Sequence, residues 1–152
     1  MVTRINFICC LLLLTGWPLP GRAENWVDIG YFTEPDTKTT YQVHLDLDSV
    51  RRDGDIVKFV DRETYLAEIE RHGKRYMRLV SISLLDCRER TFAVVAEQGW
   101  DRLGNKTIDW MHVAYTTMSP GDFWMLPEVL PELFERIQPR TMIDDMRARL
   151  CK

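Results

Sequence analysis

The sequence predicts an α+β fold, an antiparallel β-meander of about five to six strands covered by a C-terminal helix. Apolar and β-branched runs of strand length recur between short turn sequences. Only the last segment, from Thr141 onward, has the apolar spacing of a helix. Two cysteines, Cys87 in the predicted sheet and Cys151 at the end of that helix, would tie the helix to the sheet by one disulfide.

The amino terminus has the three-part pattern of a secretory signal peptide. Arg4 supplies the positive charge, residues 5–14 form an apolar core, and two prolines precede small residues that end at Ala23. The apolar segment is too short for a membrane-spanning helix, which needs about 20 residues. We therefore expect cleavage after Ala23 and export of residues 24–152 as a single domain, periplasmic or secreted, with no membrane span after cleavage.

The exported part of the chain is net acidic. Residues 1–23 contain Arg4 and Arg22 and no acidic residue, so the 20 basic side chains fall to 18 against 23 acidic ones, a net charge of −5. Such a chain has no positive field that could hold a phosphate backbone, and its basic residues are interspersed with acids. The composition therefore excludes nucleic acid as a partner.

Two cysteines remain once Cys9 and Cys10 leave with the signal. Cys87 and Cys151 are an even pair in an oxidising compartment, where a disulfide is the expected state. A thiol-redox role is the alternative, but it requires two neighbouring cysteines or a positive, exposed setting, and the sequence shows neither. We therefore predict a structural bridge between Cys87 and Cys151.

Six segments have the length and composition of β-strands. The segment 41–47 alternates apolar and polar side chains, as a half-buried strand does. The segment 76–85 is apolar on both faces, which predicts a central strand covered on both sides. What covers its even-numbered face, which includes Tyr76 and Leu84, is left open. The six predicted strands are residues 26–32, 41–47, 55–65, 76–85, 91–100 and 107–115.

Residues 116–138 form an irregular segment rich in proline. Pro120, Pro127 and Pro131 rule out a long helix there, because proline in a helix interior removes a hydrogen bond and clashes with the preceding turn. Only residues 131–137 have the pattern of a short helix, with a proline in the first turn. The remainder is predicted to be loop.

The final segment predicts a helix that lies across the sheet. Thr141 can cap its amino end, with Asp144 at the spacing of a capping box. Ile143, Met146 and Leu150 recur at helical intervals and form one apolar stripe. That stripe is the surface that we expect to pack against the strands.

Four parts of the chain resemble the bacterial surface-adhesin E family. They are residues 45–57, residues 76–87, Trp100-Asp101 with Gly104, and residues 139–152, which end in Cys-Lys. The resemblance extends over most of residues 26–152. It implies a small secreted or envelope domain with an antiparallel sheet, a C-terminal helix and a Cys87–Cys151 disulfide. It also implies binding of host extracellular-matrix or plasma proteins, as in the members named adhesins.

Large apolar side chains in and before the proline-rich segment are the candidate partner-binding residues. They are Trp110, Met118, Phe123, Trp124 and Met125. Aromatic and methionine side chains dominate binding hot spots, and a proline-rich loop cannot bury all of them by regular packing. Two interpretations follow: a lid over one side of the sheet, or an exposed apolar patch for a partner or a second copy.

No set of residues has the spacing of a metal site or of a catalytic centre. The acids around Gly54 break the ligand order of a calcium-binding EF-hand loop, and no two histidines have ligand spacing on one element. Glu63 with His112, and Ser81 with Ser83, offer acid, base or nucleophile side chains, but no recognised motif accompanies them. We therefore predict no metal, no cofactor and no enzymatic activity.

These observations favour a non-enzymatic, secreted or periplasmic binding domain of adhesin-like type. Its partner would be a protein or an envelope component, and the family resemblance implies a host matrix protein. The alternative is a self-associating structural or assembly component of the cell envelope, in the simplest case a homodimer, that uses an edge strand or the aromatic loop.

Overall fold

Antiparallel strands make up most of the fold. The computed structural model describes residues 25–34, 37–117, 122 and 125–152. Within these ranges no helix is long and apolar enough to cross a membrane. The elements are β1 (Trp26–Thr33), β2 (Thr40–Asp53), β3 (Ile56–Arg71), β4 (Lys74–Asp86), β5 (Thr91–Trp100), β6 (Lys106–Met111), α1 (Val113–Thr117), α2 (Leu126–Val129), a 3-10 turn (Pro131–Leu133), β7 (Glu135–Arg136) and α3 (Met142–Leu150).

The first six strands lie side by side in chain order, and each pairs antiparallel with its neighbour. The two-residue β7 pairs with β5. Short turns make this order possible, because Gly54, His72 and Gly73 have positive φ angles that reverse the chain within two residues. The predicted meander with its C-terminal helix is confirmed, and the described residues add one strand, β7, to the expected six.

The predicted strand over residues 107–115 is only half right. β6 ends at Met111, and the chain turns into α1 at Val113. The amide of His112 donates to the carbonyl of Val95 at 2.8 Å, and Tyr115 then packs against a buried cluster on the sheet. Tertiary packing therefore overrides a sequence whose residues favour a strand.

Two further segments differ from the expectation. Residues 131–137 form a 3-10 turn and β7 in place of a short helix, and the amide of Ile137 donates to the carbonyl of Arg90 at 3.0 Å. The charged stretch 68–74, which lies between two predicted strands, belongs mostly to β3 and β4. Residues 70–74 are exposed, and a solvated hairpin end carries no alternating apolar pattern, so the sequence does not indicate these strand ends.

One face of the sheet packs against α3 and is called the helix face below. Val57, Phe59 and Leu85 are fully buried on this face, in a cluster with Ile143 and Met146 of α3. Each such side chain contributes about 1.5–3 kcal/mol when it leaves water. This cluster is the largest buried core among the described residues.

The helix α3 is fixed at both ends. The hydroxyl of Thr141 accepts a hydrogen bond from the amide of Asp144 at 3.3 Å, which confirms the predicted cap. At the other end Cys151 is bonded to Cys87, with 5.5 Å between the two Cα atoms. The predicted disulfide between the helix end and the sheet is thus confirmed.

The other side of the sheet, called the opposite face below, is covered at one end only. Leu84 and Val95 are fully buried there under Leu126 of α2. Further along β4, Val80 and Ile82 stay only partly buried. The proline-rich segment therefore covers Leu84, but not the whole even-numbered face of β4.

Tyr76 does not lie on the opposite face, although strict alternation along β4 would place it with Val80. It packs with Leu79 in a cluster beside the helix-face core. The register between β3 and β4 shifts between Thr64 and Ile69, and such a bulge changes which face a side chain takes. A sequence pattern read with a strict period of two misses this change.

Candidate functional site

Two of the five predicted partner-binding residues lie in the described part of the chain. Trp110 belongs to β6 and is 44% exposed, and Met125 precedes α2 and is 49% exposed. Met118, Phe123 and Trp124 lie outside the described residues, so the choice between a lid and an exposed patch stays a prediction. Trp110 is the predicted residue around which a site can be built.

An open apolar groove lies beside Trp110 on the opposite face and encloses about 210 Å³. It is called the Trp110 groove. Met111, which is 47% exposed, is the second large side chain at its border. Its apolar lining consists of Val60, Val80, Ile82, Ala96, Trp110 and Met111, and Glu97, Gln98 and Asp109 add polar groups.

The strand register explains how these residues meet. Val60, Ile82, Ala96 and Met111 stand directly opposite one another across β3, β4, β5 and β6. Side chains in directly opposite positions lie on the same face about 5 Å apart. A row that is apolar across four strands, with small Ala96 in the middle, leaves a depression that Trp110 borders.

A half-buried arginine, Arg62, lies on β3 outside the lining of the groove. Arg62 pairs in register with Val80 of the groove and with His44 on β2, and its guanidinium lies 4.5 Å from the ring centroid of Trp26. The Nε of Arg62 and the Nδ1 of His44 are buried and have no hydrogen-bond partner among the described residues. Buried polar atoms without a partner cost free energy that an acceptor from a bound molecule could recover.

Sequence patterns could not reveal this arginine–histidine pair. His44 and Arg62 both fall on polar positions of predicted strands, where solvated side chains are the rule. Only the register of β2 against β3 places them side by side. The sequence carries no separate signal for the pairing of His44 with Arg62.

The outer edge of β6 carries no paired strand in the described part of the chain, since the sheet ends there. An unpaired edge offers backbone N–H and C=O groups to a further strand. One charged pair, Lys106 with Asp109 at 3.2 Å, lies along β6. The edge thus places hydrogen-bonding backbone beside the exposed side chains of Trp110 and Met111.

The second candidate site is a cavity on the helix face, between the sheet and the first turn of α3. It encloses about 220 Å³ and is called the acidic cavity. The rings of Tyr41 and Tyr65, which line it, stack with 5.0 Å between their centroids. Met142 and Ile143 of α3 also line it, so the helix covers part of it.

Three carboxylates of the sheet converge on the acidic cavity: Asp61, Glu63 and Glu97. Asp61 is only 2% exposed and accepts one long hydrogen bond, from the hydroxyl of Ser83 at 3.4 Å. Glu63 accepts a short one, 2.6 Å, from the hydroxyl of Tyr65. Carboxylates here interrupt the apolar helix face of β3, and this interruption was the one sequence signal that could have marked the site.

Arg71 is the one cationic side chain among the described residues that line the acidic cavity. Its guanidinium forms an ion pair with Glu34, which also lines the cavity. One cation therefore faces four carboxyl groups, counting Glu34. The cavity carries an excess of acid even before its burial is considered.

Burial raises the pKa of all three sheet carboxyls. For Asp61, burial and then the nearby charge of Glu63 hold the pKa well above its usual value. Burial also raises the pKa of Glu63, although the Tyr65 hydrogen bond and Arg71 act against it, and it raises the pKa of Glu97 against the pull of Arg71. These groups therefore retain protons to a higher pH than exposed carboxyls do.

The tyrosines of the cavity keep their protons. Burial and the charge of Glu63 raise the pKa of both Tyr41 and Tyr65 far above the usual value for a phenol. Their hydroxyls are hydrogen-bond donors throughout the physiological range. The cavity consequently combines protonated phenols with carboxyls whose ionisation is costly.

None of the described residues that line the acidic cavity is a histidine or a cysteine, and the hydroxyl of Ser83 donates to Asp61. His112 accepts through Nδ1 from the amide of Ala114 at 3.2 Å, at the end of β6. In the described ranges no group of three His, Cys, Asp or Glu side chains is arranged to hold a metal ion.

The comparison with protein families gives one match. The family model for surface-adhesin protein E matches residues 26–152. This range begins with the first residue of β1 and includes both the Trp110 groove and the acidic cavity. Comparison with curated proteins and with solved structures found no match.

Proposed function

Because the chain belongs to the surface-adhesin protein E family, we propose that it is an exported, non-enzymatic domain that binds a protein partner at the Trp110 groove. The proposed export rests on the signal-peptide pattern of residues 1–23. The partner belongs to one of two classes that an exported domain meets, host matrix proteins and proteins of the cell envelope.

One observation carries the proposal: two large apolar side chains, Trp110 and Met111, remain 44% and 47% exposed beside an apolar groove. Aromatic and methionine side chains are enriched at the energetic centres of protein interfaces. A groove next to them gives a partner a concave apolar surface to fill. Polar Gln98 and Asp109 at the groove supply the hydrogen-bonding rim that such interfaces have.

The unpaired edge of β6 supports a specific mode of binding. An extended segment of the partner would pair with this edge, as in β-strand addition, and would place an apolar side chain in the groove. Main-chain pairing would then supply affinity, and the apolar groove would supply selectivity.

The test is capture of a partner by residues 24–152 and by the variant Trp110→Ala. The immobilised domain is exposed to cell-envelope extract and, separately, to purified matrix and plasma proteins, and the retained protein is titrated. We expect Trp110→Ala to weaken binding about 10- to 100-fold, the usual loss at an interface hot spot. Leu66→Ala removes an exposed leucine of β3 that does not line the groove, and it should leave the affinity unchanged.

Two results would contradict the proposal. One is the absence of any retained protein from both sources. The other is equal affinity of Trp110→Ala and wild type, with both proteins shown to be folded by their melting curves. Loss of binding in Leu66→Ala as well would mean that the effect is not specific to the groove.

A second candidate function is self-association, which the same unpaired edge favours. Two copies that pair β6 with β6 would bury Trp110 and Met111 of both chains and remove both open edges. The domain would then act as an assembly component of the envelope. This function differs from the first in its dependence on the concentration of the protein itself.

A further inference from the structure

We propose that the acidic cavity is a second binding site, selective for an ammonium or guanidinium group carried on an alkyl chain. It lies on the helix face, whereas the Trp110 groove lies on the opposite face. The proposal therefore goes beyond the function proposed above and does not depend on it.

Asp61 is a buried carboxyl with no cation beside it. It is only 2% exposed, its hydrogen bond from Ser83 is long at 3.4 Å, and no ion pair among the described residues includes it. An unpaired buried carboxylate is costly. Because Asp61 lines the cavity, a cation placed there would supply the missing partner.

Carboxyl and aromatic groups form other walls of the acidic cavity. Glu63 and Glu97 line the same cavity, so an entering cation meets more than one carboxyl. The stacked rings of Tyr41 and Tyr65 add an aromatic surface, which attracts organic cations through the ring quadrupole. Acid and aromatic surface together are the usual recognition elements for alkylammonium and guanidinium groups.

The arrangement of the carboxyls and the volume of the cavity favour an organic cation over a metal ion. The carboxylates of the described residues are not arranged as a metal-binding group. At about 220 Å³ the cavity is also larger than a metal ion requires, and smaller than the roughly 300–1,000 Å³ of sites for drug-sized ligands. The volume suits one cationic group with its alkyl stem.

This chemistry has two sources, a free small amine and a lysine or arginine side chain of another protein. Calorimetric titration of residues 24–152 with n-butylammonium and with n-butylguanidinium tests the shared chemistry, and 1-butanol is the neutral probe of similar shape. A lysine-containing tripeptide and its Nε-acetylated form distinguish the sources. Tighter binding of the lysine peptide than of butylammonium indicates a side chain, and exclusion of the peptide indicates a free amine.

We expect saturable binding of at least one of the two cations and none of 1-butanol. Asp61→Asn and, independently, Glu63→Gln should weaken cation binding by about tenfold or more, because each removes a charge that is shielded from water. Glu89→Gln, an exposed acid outside the cavity, should have no effect. Met111→Ala, in the Trp110 groove and in register with Ala96, should also have no effect, so failure at one site is distinguishable from failure at the other.

Three outcomes would overturn the proposal. They are the absence of binding by both cations, equal binding of 1-butanol, and unchanged cation affinity in both Asp61→Asn and Glu63→Gln. A melting curve for each variant establishes that it is folded. Two independent variants keep the test valid if one of them does not fold.

Discussion

Asp61 and Glu63 occupy positions on β3 that packing alone would give to apolar side chains. They continue the helix face of Val57 and Phe59, which are fully buried. Burial raises the pKa of both carboxyls, so each makes the folded state less stable wherever it is ionised. Strongly perturbed carboxyls that line a cavity are typical of functional sites, where stability is given up for binding.

Replacement of Asp61 by asparagine should stabilise the protein at neutral pH. The folded-state pKa of Asp61 lies above the unfolded value of about 3.9. Protonated Asp61 therefore stabilises the folded protein at pH values below the pKa of the unfolded state. This stabilisation is lost as the pH rises through the pKa of the folded state. We expect Asp61→Asn to raise the free energy of unfolding by about 1–3 kcal/mol at pH 7 and to change little near pH 3.

Urea unfolding of both proteins at a series of pH values measures this difference. Glu89→Gln is the control, because Glu89 is exposed and should show no such gain at neutral pH. A variant Asp61→Asn that is less stable than wild type at pH 7 would mean that the carboxylate is stabilised by interactions that outweigh its burial.

At the scale of elements, bulges decide which face a side chain takes. The β4–β5 register shifts between Ile82 and Ser83, and β5 has one extra residue there, Val95. The side chains of Val95 and Ala96 consequently both lie on the opposite face: Val95 packs under α2, and Ala96 lines the Trp110 groove. The same shift turns the side chain of Glu97 toward the acidic cavity on the helix face, whereas Val95, two residues earlier, lies on the opposite face.

The C-terminal helix depends on its tether. With nine residues, α3 is too short to be stable alone, and it is held by Ile143 and Met146 in the core and by the disulfide at its end. The bridge spans a sequence separation of 64, for which loop-closure entropy gives about 4 kcal/mol. The tether therefore provides a large part of the stability that a small domain has.

Cys151→Ser should lower the free energy of unfolding by about 2–4 kcal/mol, because the unfolded chain regains the freedom that the bridge removes. Thermal and urea melts of the oxidised wild type and the variant measure the loss. Cys87→Ser should show a similar loss, and a reducing agent should bring the wild type close to both variants. A melting curve of Cys151→Ser that coincides with that of the oxidised wild type would contradict the prediction.

At the scale of the whole molecule, the two faces carry different candidate sites, and two candidate functions use the edge at β6. Self-association through β6 predicts a sedimentation coefficient that rises with protein concentration. It also predicts that Met111→Lys remains monomeric, since a charge would be buried between the copies, whereas Leu66→Lys associates like wild type. A wild type that is monomeric over the whole series would exclude self-association.

The sequence predicts the sheet order, the terminal helix and the disulfide, because apolar periodicity, a cap and a cysteine pair are local or countable signals. It does not predict the face of Tyr76, the pairing of Arg62 with His44, or the cavity around Asp61. Each of these depends on strand register and bulges, which single-sequence patterns do not encode. Of the five candidate partner-binding residues, Trp110 and Met125 are exposed and the other three lie outside the described ranges, so their role stays a prediction.

Glu97 lines both the acidic cavity and the Trp110 groove, so one strand, β5, forms a common wall between them. Thermodynamic linkage then applies: if a cation in the cavity changes the affinity of the groove by some factor, occupancy of the groove changes the affinity of the cavity by the same factor. Burial raises the pKa of Glu97, and the charge of this shared carboxyl would couple the affinity of one site to occupancy of the other. The single layer of the sheet thus places the two candidate sites back to back, with β5 between them.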